Sequence, residues 1–186
     1  MTRDEAYIIL TKYLTNKNLI KHCLACEATM KALAPRFDGN TEEWGITGLL
    51  HDIDYEVAQK ENLLHKHGIL LFERNELTLP EKISYAIKAH NFHDTKVLPQ
   101  SHMDWAIVTV DRLTGLIVAA ALVLPDKKIA SLTTESVLKR FKEKSFAKGA
   151  NRESILLCEE KLGIPLKEFV EITLKAMQSI SDTLGL

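Results

Sequence analysis

At 186 residues the chain is the size of one domain with a full hydrophobic core, and 46% hydrophobic with 26% charged residues is the balance of a soluble globular protein. A formal net charge of -1 and a pI near 6.7 give no global pull toward nucleic acid or an anionic membrane, so either partner would need a local patch. Three cysteines, an odd number, argue for reduced thiols and against a disulfide framework.

Helical periodicity marks nine segments, 4–14, 18–34, 42–52, 61–76, 80–90, 103–124, 133–142, 151–162 and 165–184, and no strand alternation appears. The expected fold is therefore a single all-α domain over 1–186. The first segment, "MTRDEAYIILTKYL", carries acids among its apolar residues and does not look like a secretory signal, so a cytoplasmic protein is expected. In the second, Leu19, Cys23, Cys26, Met30 and Leu33 trace an apolar stripe. No second CxxC follows, which makes Cys23 and Cys26 core thiols outside any metal site. His22 lies beside that stripe, at the rim of the core.

Asn40 and Thr41 open the third segment, which ends in "WGITGLLHDIDYE". Two glycines in a short helix cost about 1 kcal/mol each relative to Ala, so Gly45 and Gly48 are expected to let it approach its neighbours closely. The fourth segment contains "HKHG"; the fifth opens at Pro80 and ends in "AIKAHNFH". The sixth, "WAIVTVDRLTGLIVAAALVL", is long enough to span a bilayer but holds Asp111 and Arg112 near its middle, so it reads as a buried core helix. A buried Asp111 needs a partner. The side chain of Arg112 leaves the helix about 100° away, which points it toward an edge or another group. Further on, Lys139, Arg140, Lys142, Lys144 and Lys148 read as a solvated face, or alternatively as phosphate-binding charge. Gly163 and Pro165 separate the last two segments, and Leu166, Phe169, Val170, Thr173, Met177 and Ile180 form the stripe of the last.

Adjacent residues on a helix point about 100° apart, so His51 and Asp52 can reach one object only if it sits at the helix end. His22, His51, Asp52 and Asp111 lie on three helical segments, each where a half-buried polar group needs an explanation. One metal ion explains all four. Imidazole with carboxylate suits Zn, Mn, Fe or other borderline divalent ions rather than Ca.

A His, then an adjacent His-Asp pair, then a distant Asp resembles the HD superfamily of metal-dependent hydrolases. "LLHDIDYE" is similar to that family's His-Asp helix end and "VTVDRLTGL" to its late Asp helix. The resemblance covers about 18–120, and with the C-terminal helices, about 126–186, the chain is similar to a small group of predicted bacterial HD hydrolases. It implies an HD-type bundle of about nine helices that binds one or two divalent ions: Mn, Fe, Zn, Co or Ni, with Mg also admitted. Two-metal members add two histidines, for which "HKHG" offers His65 or His67 and "AIKAHNFH" offers His90 or His93. His67 and His90 are preferred, His90 because it closes a helical pattern.

The implied function is hydrolysis of a phosphomonoester or phosphodiester, a nucleotide or related small molecule, with Asp52 as bridging and catalytic carboxylate and a metal-activated water attacking phosphorus. Two alternatives share these ligands: a di-iron oxygenase with four His and two Asp, and a non-catalytic module that binds a nucleotide or a protein. Neither a nucleic-acid nor a membrane partner is implied. Many members continue the pair as His-Asp-Ile-Gly-Lys, with the Lys near the phosphate; here Asp54 and Tyr55 stand at the end of that stretch, so that role falls elsewhere or is absent.

Overall fold

Polar caps cut this apolar chain into helices. The computed structural model describes residues 1–186, all-helical and without strands. In chain order the helices are α1 (Arg3–Tyr13), α2 (Lys17–Leu33), α3 (Thr41–Leu50), α4 (Tyr55–Lys60), α5 (Leu70–Glu73), α6 (Glu81–His90), α7 (Phe92–Thr95), α8 (His102–Leu122), α9 (Thr134–Lys142), α10 (Arg152–Leu162), α11 (Leu166–Gln178) and α12 (Ser181–Leu184). Asn16 and Asn40 accept hydrogen bonds from the first free backbone N–H groups of α2 and α3, and Thr2, Ser101 and Thr133 close capping boxes on α1, α8 and α9. Each such cap contributes about 1 kcal/mol.

The long apolar helix α8 is the axis of the domain. It packs against α2, α6 and α10, with α11 closing the layer, in a core that includes Met30, Ile107, Val110, Leu113, Ile117 and Phe169. A second core joins α1, α3 and α6 through Leu10, Leu49, Leu50, Ile53, Ile83 and Ile87. Leu50 and Ile53, which flank the His-Asp pair, belong to the second core, whereas Val110 and Leu113, which flank Asp111, belong to the first. The polar residues between them therefore meet where the two cores join. Helix α8 is long and apolar enough to cross a membrane, but 67% of its most apolar window is buried inside the protein, as its reading as a core helix requires.

Several boundaries differ from the sequence reading, and each difference has a local cause. Residues 61–76 are not one helix: a 3-10 turn at Leu64–Lys66 and the single turn α5 are separated by Gly68, whose φ of +95° no α-helix accommodates. The third helix stops at Leu50, His51 is its C-cap, and Asp52 to Asp54 continue as turns into α4. The last segment breaks at Ser179 and Ile180, so α11 and α12 are distinct. With these breaks and the extra turns α4 and α7, the helices number twelve instead of about nine.

Candidate metal centre

Six side chains converge from six places in the chain. His22 comes from α2, His51 from the C-cap of α3, Asp52 from the turn after it, His67 from the end of the 3-10 turn, His90 from the last residue of α6 and Asp111 from the middle of α8. Around the first group, His22 Nε2 lies 3.2 Å from His51 Nε2 and 3.1 Å from Asp111 Oδ1, with Asp52 Oδ2 3.6 Å from His22 Nε2 and 3.5 Å from His51 Nε2. Around the second, His67 Nε2 lies 2.8 Å from Asp52 Oδ1 and 2.9 Å from His90 Nε2, and His90 Nε2 is 3.6 Å from Asp52 Oδ1. The two oxygens of Asp52 thus face different groups of histidines.

These distances fit a metal site. Bonds of about 2.1 Å to a common ion put neighbouring donor atoms about 3.0 Å apart at right angles and about 3.4 Å apart at the tetrahedral angle. The proton placement fits as well. His51 Nδ1 donates to the Gly48 carbonyl at 2.9 Å and His90 Nδ1 to the Ile87 carbonyl at 2.5 Å, so each ring presents an unprotonated Nε2 to the centre. His22 Nδ1 faces Thr114 Oγ1 at 3.3 Å, and that hydroxyl in turn donates to the Asp111 carbonyl, leaving its oxygen to accept from His22. Where both facing nitrogens are unprotonated, their lone pairs repel across 3 Å, and a cation between them would remove that repulsion. These buried His and Asp groups could hold a metal ion.

Burial sets the charge states. It lowers the His51 pKa to about 4, so that imidazole is neutral at pH 7. For Asp111 burial works the other way, but Arg112 first and His22 next outweigh it and hold the carboxyl well below its usual range. Asp52 is held low in the same manner, by His51 first and by His67, whose Nε2 lies 2.8 Å from Oδ1, next. The Arg112 side chain, one-third exposed as its position toward an edge requires, also reaches back to Asp111, with Nε 3.4 Å from Oδ2.

The exposed His65 and His93 lie outside the cluster, so the structure brings in His67 and His90 of the two alternatives. Four supporting residues were not singled out as such in the sequence. Asp54 accepts the backbone N–H groups of Gly68 and Leu70 at 2.7 and 2.9 Å, which clamps the turn that carries His67. Asn91 lies 3.0 Å from His67 Nδ1, and Thr114 backs His22. Cys26 is the fourth. Both it and Cys23 are buried free thiols, yet only Cys23 is confined to the core; Cys26 Sγ lies 3.9 Å from His22 Nε2 and 3.6 Å from Thr114 Oγ1, within reach of the same ion as His22 and His51. The four-residue step from His22 to Cys26, which puts both on one helix face, was the available signal. A cavity of about 590 Å³ at the N-terminal ends of α3, α6 and α8, lined by Trp44, Tyr85 and His102 among others, touches none of the six cluster residues.

The clamp gives a direct expectation. Asp54→Ala leaves two buried N–H groups without their acceptor, which should cost about 3 kcal/mol and speed hydrogen exchange at the Gly68 and Leu70 amides well beyond the rest of the chain. Unchanged protection at those two amides would show that something else holds the turn.

No protein-family model, curated protein or solved structure matches the chain.

Proposed function

We propose that the cluster holds two divalent metal ions and that the protein is an HD-type phosphohydrolase, acting on a small phosphomonoester or phosphodiester. The observation that supports this best is the division of the Asp52 carboxylate, with Oδ2 toward His22 and His51 and Oδ1 toward His67 and His90. A carboxylate in that position can bridge. Four imidazoles and two carboxylates favour Mn, Fe, Co, Ni or Zn, with Mg as a weaker occupant. When bound, such ions supply Lewis acidity and a water that is nucleophilic at neutral pH.

The remaining work falls to the chain itself. The Gly48 and Ile87 carbonyls hold two rings in one tautomer, so no reorganisation is needed when ligands arrive. Access is from one side: the His22 side chain is 21% exposed, whereas those of His51 and His90 are fully buried. Arg112, one-third exposed on that side, stands where it can offset charge that builds on phosphate oxygens.

Metal analysis of the purified protein, followed by hydrolysis of p-nitrophenyl phosphate and bis-p-nitrophenyl phosphate with Mn, Co, Fe and Mg, tests the reading. The expected result is about two ions per chain and hydrolysis that a chelator abolishes and added metal restores. A protein that binds no divalent ion, or cleaves neither ester when loaded, would sink it. The same four-histidine, two-carboxylate set also suits a di-iron oxygenase, which oxygen consumption by aerobically purified, iron-loaded protein would reveal.

A further inference from the structure

Beside the cluster, between α8 and the loop after α9, lies a cavity of about 310 Å³ lined by His22, Asp111, Arg112, Gly115 and the backbone-rich stretch at Ala147, Gly149 and Ala150. Two of its walls belong to the centre itself. We infer that this cavity is the substrate pocket and that it selects small, non-aromatic phosphate esters such as sugar or glycerol phosphates, with Arg112 as the phosphate-positioning residue and Gly115 as the residue that keeps the room open. The inference rests on the phosphohydrolase reading above and narrows its substrate class.

Three features point the same way. Gly115 sits inside a 21-residue helix, where Ala would be favoured by about 1 kcal/mol. A Cβ added there would meet nothing within 4 Å, so no neighbour in the protein demands a glycine. The space it leaves is the cavity. Arg112 is held only through Nε, by Asp111; its two terminal nitrogens hydrogen-bond nothing in the protein, although the residue lines the cavity. A guanidinium with both ends free is a bidentate anion receptor.

The third feature is the opposite wall. Arg152, at the start of α10, donates to the carbonyls of Ala147 and Ala150 at 2.7 and 2.8 Å, to those of Phe141 and Glu143 at 3.4 Å, and to that of Phe146. One side chain thus ties the loop into a fixed shape and holds Ala147 at a φ of +42°, a conformation an alanine rarely adopts. The wall so made is small and smooth. No Phe, Tyr or Trp lines the cavity, so beyond the small His22 imidazole a nucleobase would find no ring to stack on. The volume is at the low end for ligand pockets and suits a compact ester. Of the basic run from the end of α9 to Lys148, Arg140 is paired with Glu143 at 2.8 Å, and none of its five members lines the cavity.

Orthophosphate is the probe for the anion end; a panel of sugar phosphates, glycerol phosphates and nucleoside 5′-monophosphates is the probe for the rest. Arg112→Gln should weaken calorimetric orthophosphate binding about tenfold at unchanged metal content, the loss of one charge-assisted contact. Gly115→Val should melt no lower than the parent, keep its metal and its orthophosphate affinity, and raise KM for the sugar and glycerol phosphates about tenfold by filling the pocket. Preferential hydrolysis of the nucleotides, or wild-type KM in a folded Gly115→Val protein, overturns the pocket assignment while leaving the hydrolase reading intact. Wild-type orthophosphate affinity in Arg112→Gln overturns the role of Arg112. Absence of metal and of hydrolysis from the parent protein instead overturns the reading on which the pocket rests, and the pocket with it.

Discussion

Asp52→Ala is expected to remove metal and hydrolysis together while leaving the helical fold in place. Every other cluster residue faces one group of ligands, but Asp52 presents an oxygen to each, at 2.8 Å from His67 Nε2 on one side and 3.5 Å from His51 Nε2 on the other. Its loss would leave four imidazoles and one carboxylate for the two proposed cations, in a site where burial makes uncompensated charge costly. Loss of a residue that merely supports a ligand typically weakens metal binding about 10–100-fold, so loss of a shared ligand should exceed about 100-fold at both positions. His67→Ala or His90→Ala should empty one position and leave the other filled. Metal stoichiometry by mass spectrometry, with circular dichroism to verify folding, reads all of these. Wild-type metal content in both Asp52→Ala and Asp111→Ala would make the two acids structural.

The parts of this molecule that were legible in the sequence are those where one helix decides the matter. The apolar stripe of 165–184, the buried character of 103–124 and the caps at Asn40 and Pro80 are local signals, and the structure repeats them with shifts of a residue or two, apart from the break at Ser179 and Ile180. The His-Asp pair was legible for the same reason: two polar residues at the end of an apolar helix have few explanations. What escaped depends on contacts between distant segments. Whether His65 or His67 turns inward is decided by Asp54, which captures two N–H groups on the far side of the 3-10 turn, and by the left-handed φ of Gly68. Helical spacing places Arg112 away from Asp111, but a four-bond side chain can fold back where a shorter one cannot. The cavity is assembled from α8 and a loop more than thirty residues later, and the only mark it leaves in the sequence is a glycine at 115 with no local purpose.

Gly48 should prove far less replaceable than Gly45, three residues earlier on the same helix. A Cβ on Gly48 would stand 2.7 Å from the backbone carbon and oxygen of Cys26 and 2.8 Å from the Glu27 nitrogen, where α3 crosses α2. Backbone cannot swing aside, so the two helices must part. A Cβ on Gly45 would meet only the side chain of Lys31, which can change rotamer at the cost of loosening its 2.8 Å pairing with Glu27. The ordinary gain of helix propensity, up to about 1 kcal/mol, offsets that loss, so Gly45→Ala is expected to be near neutral. In Gly48→Ala the overlap should outweigh that gain, and Gly48→Leu should cost about 3 kcal/mol or more, the upper range for overpacking. The centre will feel it too. The Gly48 carbonyl fixes the ring of His51, while α2 carries His22 and Cys26, so parting the helices pulls apart the two imidazoles that stand 3.2 Å from each other. Thermal melts and metal content of the three variants should fall in step, in the order Gly45→Ala, Gly48→Ala, Gly48→Leu. If Gly48→Leu melted with the parent and kept its metal, the close approach of α2 and α3 would have no part in building the site.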